Sequence, residues 1–155
     1  IPHLGDAKWN VELGTFLNKE NLRVIEWKYF RGSDFFIFSN PLKSFQMMGP
    51  TLTSEFSYLR GNFIHNFNGN IFGKIPLINR LNLQLSAGVS TLLIPGENLN
   101  HLETFIGISR PFQLWGDLVK FGIYGCSSVN SLTGSTFELK IGASSFNPFT
   151  KKWDY

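Results

Sequence analysis

Leu81-Asn82-Leu83-Gln84-Leu85-Ser86-Ala87-Gly88-Val89-Ser90-Thr91-Leu92-Leu93 decides the fold. Leu81, Leu83, Leu85, Ala87 and Val89 fall on one parity, and Asn82, Gln84, Ser86, Gly88 and Ser90 on the other. Successive side chains of a strand point to opposite faces, so the stretch is a strand with one apolar and one polar face. It is longer than the usual strand of about 5–6 residues. A bilayer-crossing strand needs about 9–11, tilted by roughly 45°.

The pattern recurs. Leu102–Ser109 sets Leu102, Thr104, Ile106 and Ile108 against Glu103, Phe105, Gly107 and Ser109. Leu118–Ser128 sets Val119, Phe121 and Ile123 against Lys120, Gly122 and Tyr124. Thr136–Ser145 sets Phe137, Leu139, Ile141 and Ala143 against Glu138, Lys140, Gly142 and Ser144. Further strands are expected at Trp9–Leu17, Leu22–Phe30 and Thr51–Phe67, the last with a bulge near Leu59–Gly61. Asn18–Asn21, Gly69–Arg80, Pro95–Asn98, Arg110–Gly116 and Ser128–Ser135 read as the connections.

The expected fold is therefore all-β: a transmembrane, antiparallel, up-and-down β-barrel with about seven strands visible. Bacterial single-chain barrels have even strand numbers, and lipid does not tolerate open sheet edges. Seven strands thus imply the C-terminal part of a larger barrel, and residues 1–155 are read as one such segment. With the C-terminus on the periplasmic side, the turns at Asn18, Gly69 and Arg110 are periplasmic. The loops at Arg31, Pro95 and Ser128 are then extracellular.

Composition agrees. Aromatics make up 15% and charged residues only 16% of the 155 residues, yet mean hydropathy is -0.03. Alternating faces cancel in that average. No apolar run reaches the length of a membrane helix. The net charge of +3 carries no basic stripe, so no nucleic-acid partner is expected. The lone Cys126 reads as a packed residue, and His3, His65 and His101 lack metal spacing. No nucleophile elbow is present, and Gly69–Lys74 is too short for a phosphate loop. No catalysis, metal or cofactor is expected. The chain opens on Ile1 rather than Met and is read as a mature product or a fragment.

Arg31–Pro50 holds Phe35, Phe36, Ile37, Phe38, Phe45, Met47 and Met48. Loops this long are uncommon unless functional, and one so apolar is expected to fold against or into the barrel. Arg31 then either meets a carboxylate (Glu138 first by parity, with Glu103 and Glu55 behind it) or stays solvated. Glu103, Lys120, Glu138 and Lys140 share the polar parity. Either they contact the loop or a solute, or they pair across strands inside a filled barrel.

Several blocks resemble one family: Ser39–Gln46 (S-N-P-L-K-S-F-Q), His65–Leu81, Glu103–Trp115, Phe121–Tyr124 and the ending F-E-L-K-I-G…F-N…W-D-Y. It is the Bacteroidetes outer-membrane family of undefined function whose members carry an N-terminal carboxypeptidase-regulatory-like domain. The resemblance spans roughly Tyr29 to Tyr155. A second resemblance is to outer-membrane insertase and two-partner-secretion barrels of about 16 strands. In those, a long loop with an R-G motif precedes the last five strands and folds into the lumen; Arg31 and Gly32 stand in that place here. These resemblances imply an outer-membrane location and a transport, translocation or assembly pore. The implied partners are outer-membrane lipid, the barrel-insertion machinery, and the remaining strands of the barrel or another outer-membrane protein. Trp153 and Tyr155 would form an assembly signal or part of the aromatic belt. The alternatives are a barrel that anchors a partner or an appended domain, and a soluble lipocalin-like ligand binder.

Overall fold

The structure, a computed structural model, describes residues 5–17, 23, 26–49, 52–67, 69, 71–74, 79–114, 117–147 and 152–154. Nine strands follow in chain order: β1 (Asp6–Gly14), β2 (Lys28–Phe30), β3 (Leu52–Ser54), β4 (Tyr58–Asn66), β5 (Gln84–Ile94), β6 (Leu99–Leu114), β7 (Asp117–Asn130), β8 (Gly134–Asn147) and β9 (Lys152–Asp154). Seven form one antiparallel sheet in the order β1-β4-β5-β6-β7-β8-β9, while β2 and β3 pair as a separate ribbon. Among the described residues no helix is long and apolar enough to cross a membrane. The sheet is open, with β1 and β9 at its edges.

Several boundaries differ from the expectation. Of the strand expected at Leu22–Phe30, Leu22, Val24 and Ile25 lie outside the described residues; Lys28–Phe30 is extended but pairs with Leu52–Ser54 rather than joining the seven-stranded sheet. β1 joins directly to β4, Gly14 opposite Tyr58. The whole segment from Thr15 to Ser57 therefore leaves and returns at one end of the sheet, the end that carries Pro95–Asn98 and Ser131–Thr133. The turn expected at Asn18–Asn21 lies outside the described residues. The bulge near Leu59–Gly61 is absent, because β4 runs residue for residue against β1 and β5. The parity shift there has another cause: Tyr58, Leu92 and Ile94 make the inward face apolar at that end.

β5 begins at Gln84, since the left-handed Asn82 (φ 49°) ends the preceding turn. β6 runs on through Arg110–Leu114 rather than ending at Ser109. Pro111 is tolerated because β5 stops at Gln84 opposite Ser109, leaving β6 paired there on β7's side only.

The burial pattern is inverted relative to a water-soluble sheet. Outward residues are apolar and exposed: Ile106, Ile108, Phe121, Ile123, Phe137, Leu139 and Ile141. Inward residues are polar and buried: Arg60, Asn62, Ser86, Ser90, His101, Glu103, Lys120, Lys140 and Ser144. The Thr15–Ser57 insertion touches Arg60, Asn62, His101, Glu103 and Lys140 among them.

Candidate functional site: the loop seated on the polar wall

The segment Ser39–Gln46 folds on itself before it meets the wall. Pro41 follows Asn40 at the start of a tight turn, where its missing N–H costs nothing. The Asn40 side chain accepts from the Leu42 amide (3.0 Å), and its carbonyl accepts from the Lys43 and Ser44 amides (3.0 and 2.9 Å). The Gln46 side chain accepts from the Ser39 amide (3.0 Å) and donates to the Ser39 and Ser44 carbonyls (3.1 and 3.2 Å), closing the loop crosswise. At its base the Phe45 amide donates to the Arg31 carbonyl (2.9 Å). Gly32 passes so close to the Met48 and Gly49 carbonyls that an added Cβ would collide with backbone. That explains the glycine of the R-G pair.

Wall side chains then bind the loop's main chain, each by its own polarity. Wall donors take carbonyls: Asn62 donates to Pro41 (3.1 Å), and Asn10 and Arg60 both reach the Leu42 carbonyl (3.4 Å each). Lys140 donates to the Asp34 carbonyl (2.6 Å). The wall acceptor takes amides: Glu103, 2% exposed, accepts from Gln46 (2.7 Å) and Met47 (2.9 Å) through its two oxygens. His101 lies 3.3 Å from the same carboxylate, its other ring nitrogen 3.3 Å from Asn130 Nδ2. Phe45 sits edge-on to His101, and the Arg60 guanidinium lies over the Phe45 ring. Arg60 also donates to Asn62 (2.9 Å).

The apolar anchor is Phe38. Its ring stacks on Tyr124 (centroids 3.7 Å apart, planes 2° apart) and meets Phe105 edge-on. Tyr124 in turn lies over the glycines of three adjacent strands, Gly107, Gly122 and Gly142, where any Cβ would strike its ring. A glycine floor thus makes room for a two-ring stack. At the mouth, Phe30, Phe45, Met48, Tyr58, Leu92, Ile94 and Leu99 form a second apolar cluster. Beside it Glu12 binds Lys28, Tyr58 (2.8 Å) and, more distantly, Arg60 (3.9 Å). The hydrogen bond that Lys28 donates to Glu12 holds its ammonium above the ordinary lysine value.

The residues singled out in the sequence are distributed as follows. Glu103 and Lys140 contact the loop. Glu138 lies 3.4 Å from Lys140 on the same strand face. Lys120 is buried lower on the inward face. Arg31 is exposed, and no ion pair joins it to a carboxylate of the described residues. The cation under the loop is instead Arg60. Of the seven apolar loop residues, Phe38, Phe45 and Met48 are buried, whereas Phe35, Phe36 and Ile37 are exposed at the edge of β8. Tyr155 and the Trp153 side chain lie outside the described residues. Asn10, Arg60, Asn62, His101 and Tyr124 went unnoticed as loop partners. Among the described residues no group of three or more His, Cys, Asp or Glu side chains is placed to hold a metal ion.

These features define an all-β protein: an open antiparallel sheet, apolar outside and polar inside, with a long insertion seated on its polar face. Residues 1–108 match the C-terminal domain of a family of unknown function (DUF5686), and the chain belongs to that family. Nothing matches among curated proteins or among solved structures.

Proposed function

We propose that this chain is a wall segment of an outer-membrane β-barrel, with the Thr15–Ser57 insertion folded into the lumen as a plug of a transport or translocation pore. The inverted burial pattern carries the reading. Burying apolar surface is the main favourable term for folding in water, worth about 25 cal/mol per Å². A sheet that leaves Ile123, Phe137, Leu139 and Ile141 more than half exposed forgoes it. Lipid removes that penalty, and the alternation of lipid-facing and lumen-facing residues is the transmembrane-barrel pattern. The lipocalin-like alternative requires the opposite, an apolar interior.

Transport is favoured over a mere anchor because the plug is held largely by hydrogen bonds to polar wall residues. Polar contacts exchange readily for water, so the seat suits a segment that moves. Two measurements test the reading. The protein, purified in detergent, should partition into phospholipid vesicles and resist alkaline extraction; precipitation-free solubility without detergent refutes the membrane assignment. In planar bilayers, Glu103→Ala should raise the open probability of the full protein. Equal, silent traces for both would leave the anchor as the better reading.

A further inference from the structure

Arg110 breaks the apolar outward surface. It follows Ile106 and Ile108 on the outward parity of β6 and precedes Phe112 and Leu114 on the same side. Its cross-strand neighbour on β7 is Phe121, flanked by Val119 and Ile123. The ion pairs of the described residues involve Lys8, Lys28, Arg60, His101 and Lys140, not Arg110. Among the described residues its specific neighbour is the Phe112 ring, 5.0 Å from the guanidinium carbon. Asp117 lies on the same outward parity, four residues beyond Phe121. That is roughly 13 Å along the strand, too far to neutralise Arg110.

The arginine also stands at one end of an outward groove of about 790 Å³, lined by Leu85, Ile108, Phe112, Phe121, Ile123 and Ile141 among others. An unpaired cation on a lipid-facing surface is costly near the midplane and is relieved by snorkelling toward the headgroups. Arg110 is four residues from the end of β6 at Leu114, about 13 Å along the strand and so about 9 Å deep at a 45° tilt. That depth is within reach of a phosphate drawn slightly inward. The planar guanidinium matches a phosphate in a bidentate fashion.

We propose that this groove is a specific site for one anionic phospholipid, in the leaflet at the end opposite the plug. Its phosphate pairs with Arg110, and one acyl chain lies in the groove between β5 and β8. The site rests on the membrane reading and adds to it a particular lipid chemistry.

Native mass spectrometry of the protein, released from mixed micelles of equimolar phosphatidylglycerol and phosphatidylcholine, tests the site. The wild type should retain one lipid with phosphatidylglycerol enriched about fivefold to tenfold: both headgroups offer the phosphate, but the choline ammonium cancels the net charge of phosphatidylcholine, so only part of a charge-assisted bond discriminates. Arg110→Gln should abolish the enrichment. Ile123→Trp, which fills the groove from an exposed position, should lower total retention while leaving the fold unchanged. If wild type and Arg110→Gln retain the same lipids in the same ratio, the inference falls while the membrane reading stands. If the chain never enters vesicles, both fall.

Discussion

Replacing Glu103 by alanine should release the plug without unfolding the wall. Among the described residues, the carboxylate accepts from the buried Gln46 amide and the half-buried Met47 amide, at 2.7 and 2.9 Å. Gln46 is itself fully buried, so water does not replace the lost acceptor while the loop stays seated. Leaving a buried donor unsatisfied costs about 1–3 kcal/mol, so the orphaned Gln46 amide weakens the seat by that amount and the half-buried Met47 amide adds less. A factor of ten corresponds to about 1.4 kcal/mol, which converts to roughly fivefold to a hundredfold in the opening equilibrium. Glu103 stands on β6, but the substitution removes side-chain atoms alone, so the main-chain pairing of Glu103 with Ser90 and Ser128 should persist and the sheet should keep its stability.

Amide hydrogen exchange in detergent or nanodiscs reads the effect locally. Gln46, Met47, Ser39 and Phe45 should lose protection together in Glu103→Ala, while the β6–β7 amides remain slow. Glu103→Gln should be intermediate: it keeps one carbonyl oxygen but turns an NH₂ toward the second amide. His101→Ala should matter less, because His101 meets the loop only through the Phe45 ring edge. Unchanged protection at Gln46 and Met47 in Glu103→Ala would refute the idea that a wall carboxylate holds the loop.

Three further outcomes follow from the same geometry. Gly142→Leu puts a side chain where Tyr124 and Phe38 now lie, and should cost about 1–3 kcal/mol by overpacking, read as a lowered urea midpoint with loss of Tyr124–Phe38 contacts. Leu139→Arg on the outward face should cost about 2–4 kcal/mol in lipid, whereas Gln84→Arg on the inward parity should cost much less; equal costs in a refolding assay would defeat the facing assignment. For Lys28, whose ammonium is held above its ordinary value of 10.5 by Glu12, the stabilisation is present below the unfolded pKa and is lost as alkaline pH rises through the folded one. Glu12→Gln should therefore lower the Lys28 titration midpoint seen by NMR and flatten stability at high pH.

The wall was legible because β5 to β8 repeat a period of two with opposite chemistry on the two faces, and no other structure places Leu139 and Lys140 apart so consistently. Parity alone put Glu103 and Lys140 on the inward side. What parity does not show is the partner. Glu103, Asn62 and Arg60 bind main-chain groups of the loop, and a backbone amide or carbonyl leaves no mark in residue type. Arg60 and Asn62 share an inward parity on β4, and the bulge expected beside them hid it. Arg31 drew attention through its neighbour Gly32, whose role is close backbone approach rather than charge. Leu22–Phe30 read as a wall strand because Ile25, Trp27 and Tyr29 alternate. Yet among its described residues Lys28–Phe30 finds a partner strand, and that partner is Leu52–Ser54, outside the main sheet.

The exposed Phe35-Phe36-Ile37 stretch acts at a sheet edge. The Ile141 amide donates to the Phe36 carbonyl (2.8 Å), and the Phe38 amide donates to the Ile141 carbonyl (2.9 Å), making a parallel bridge at Ile37. Ile141 therefore turns its main-chain groups away from its β7 partner Ile123. Antiparallel ladders alternate, so Phe137 and Leu139 also face the outer edge, while Glu138, Lys140 and Gly142 bond to β7. Among the described residues β9 takes that edge at Ser145–Asn147. In its register, an antiparallel strand continuing four residues past Asp154 would reach Ile141, the position the loop now holds. The loop thus covers an edge that would otherwise template foreign strands. Residue-resolved hydrogen exchange checks this without a mutation. Along β8 the even-numbered amides from Glu138 to Gly142 should be slow, Phe137 and Leu139 fast, and Ile141 slow against the trend. Substituting a Gly-Ser linker of equal length for Asp34–Phe38 should make Ile141 fast as well. A fast Ile141 in the wild type, or slow exchange at Phe137 and Leu139, would mean that something other than the loop governs this edge.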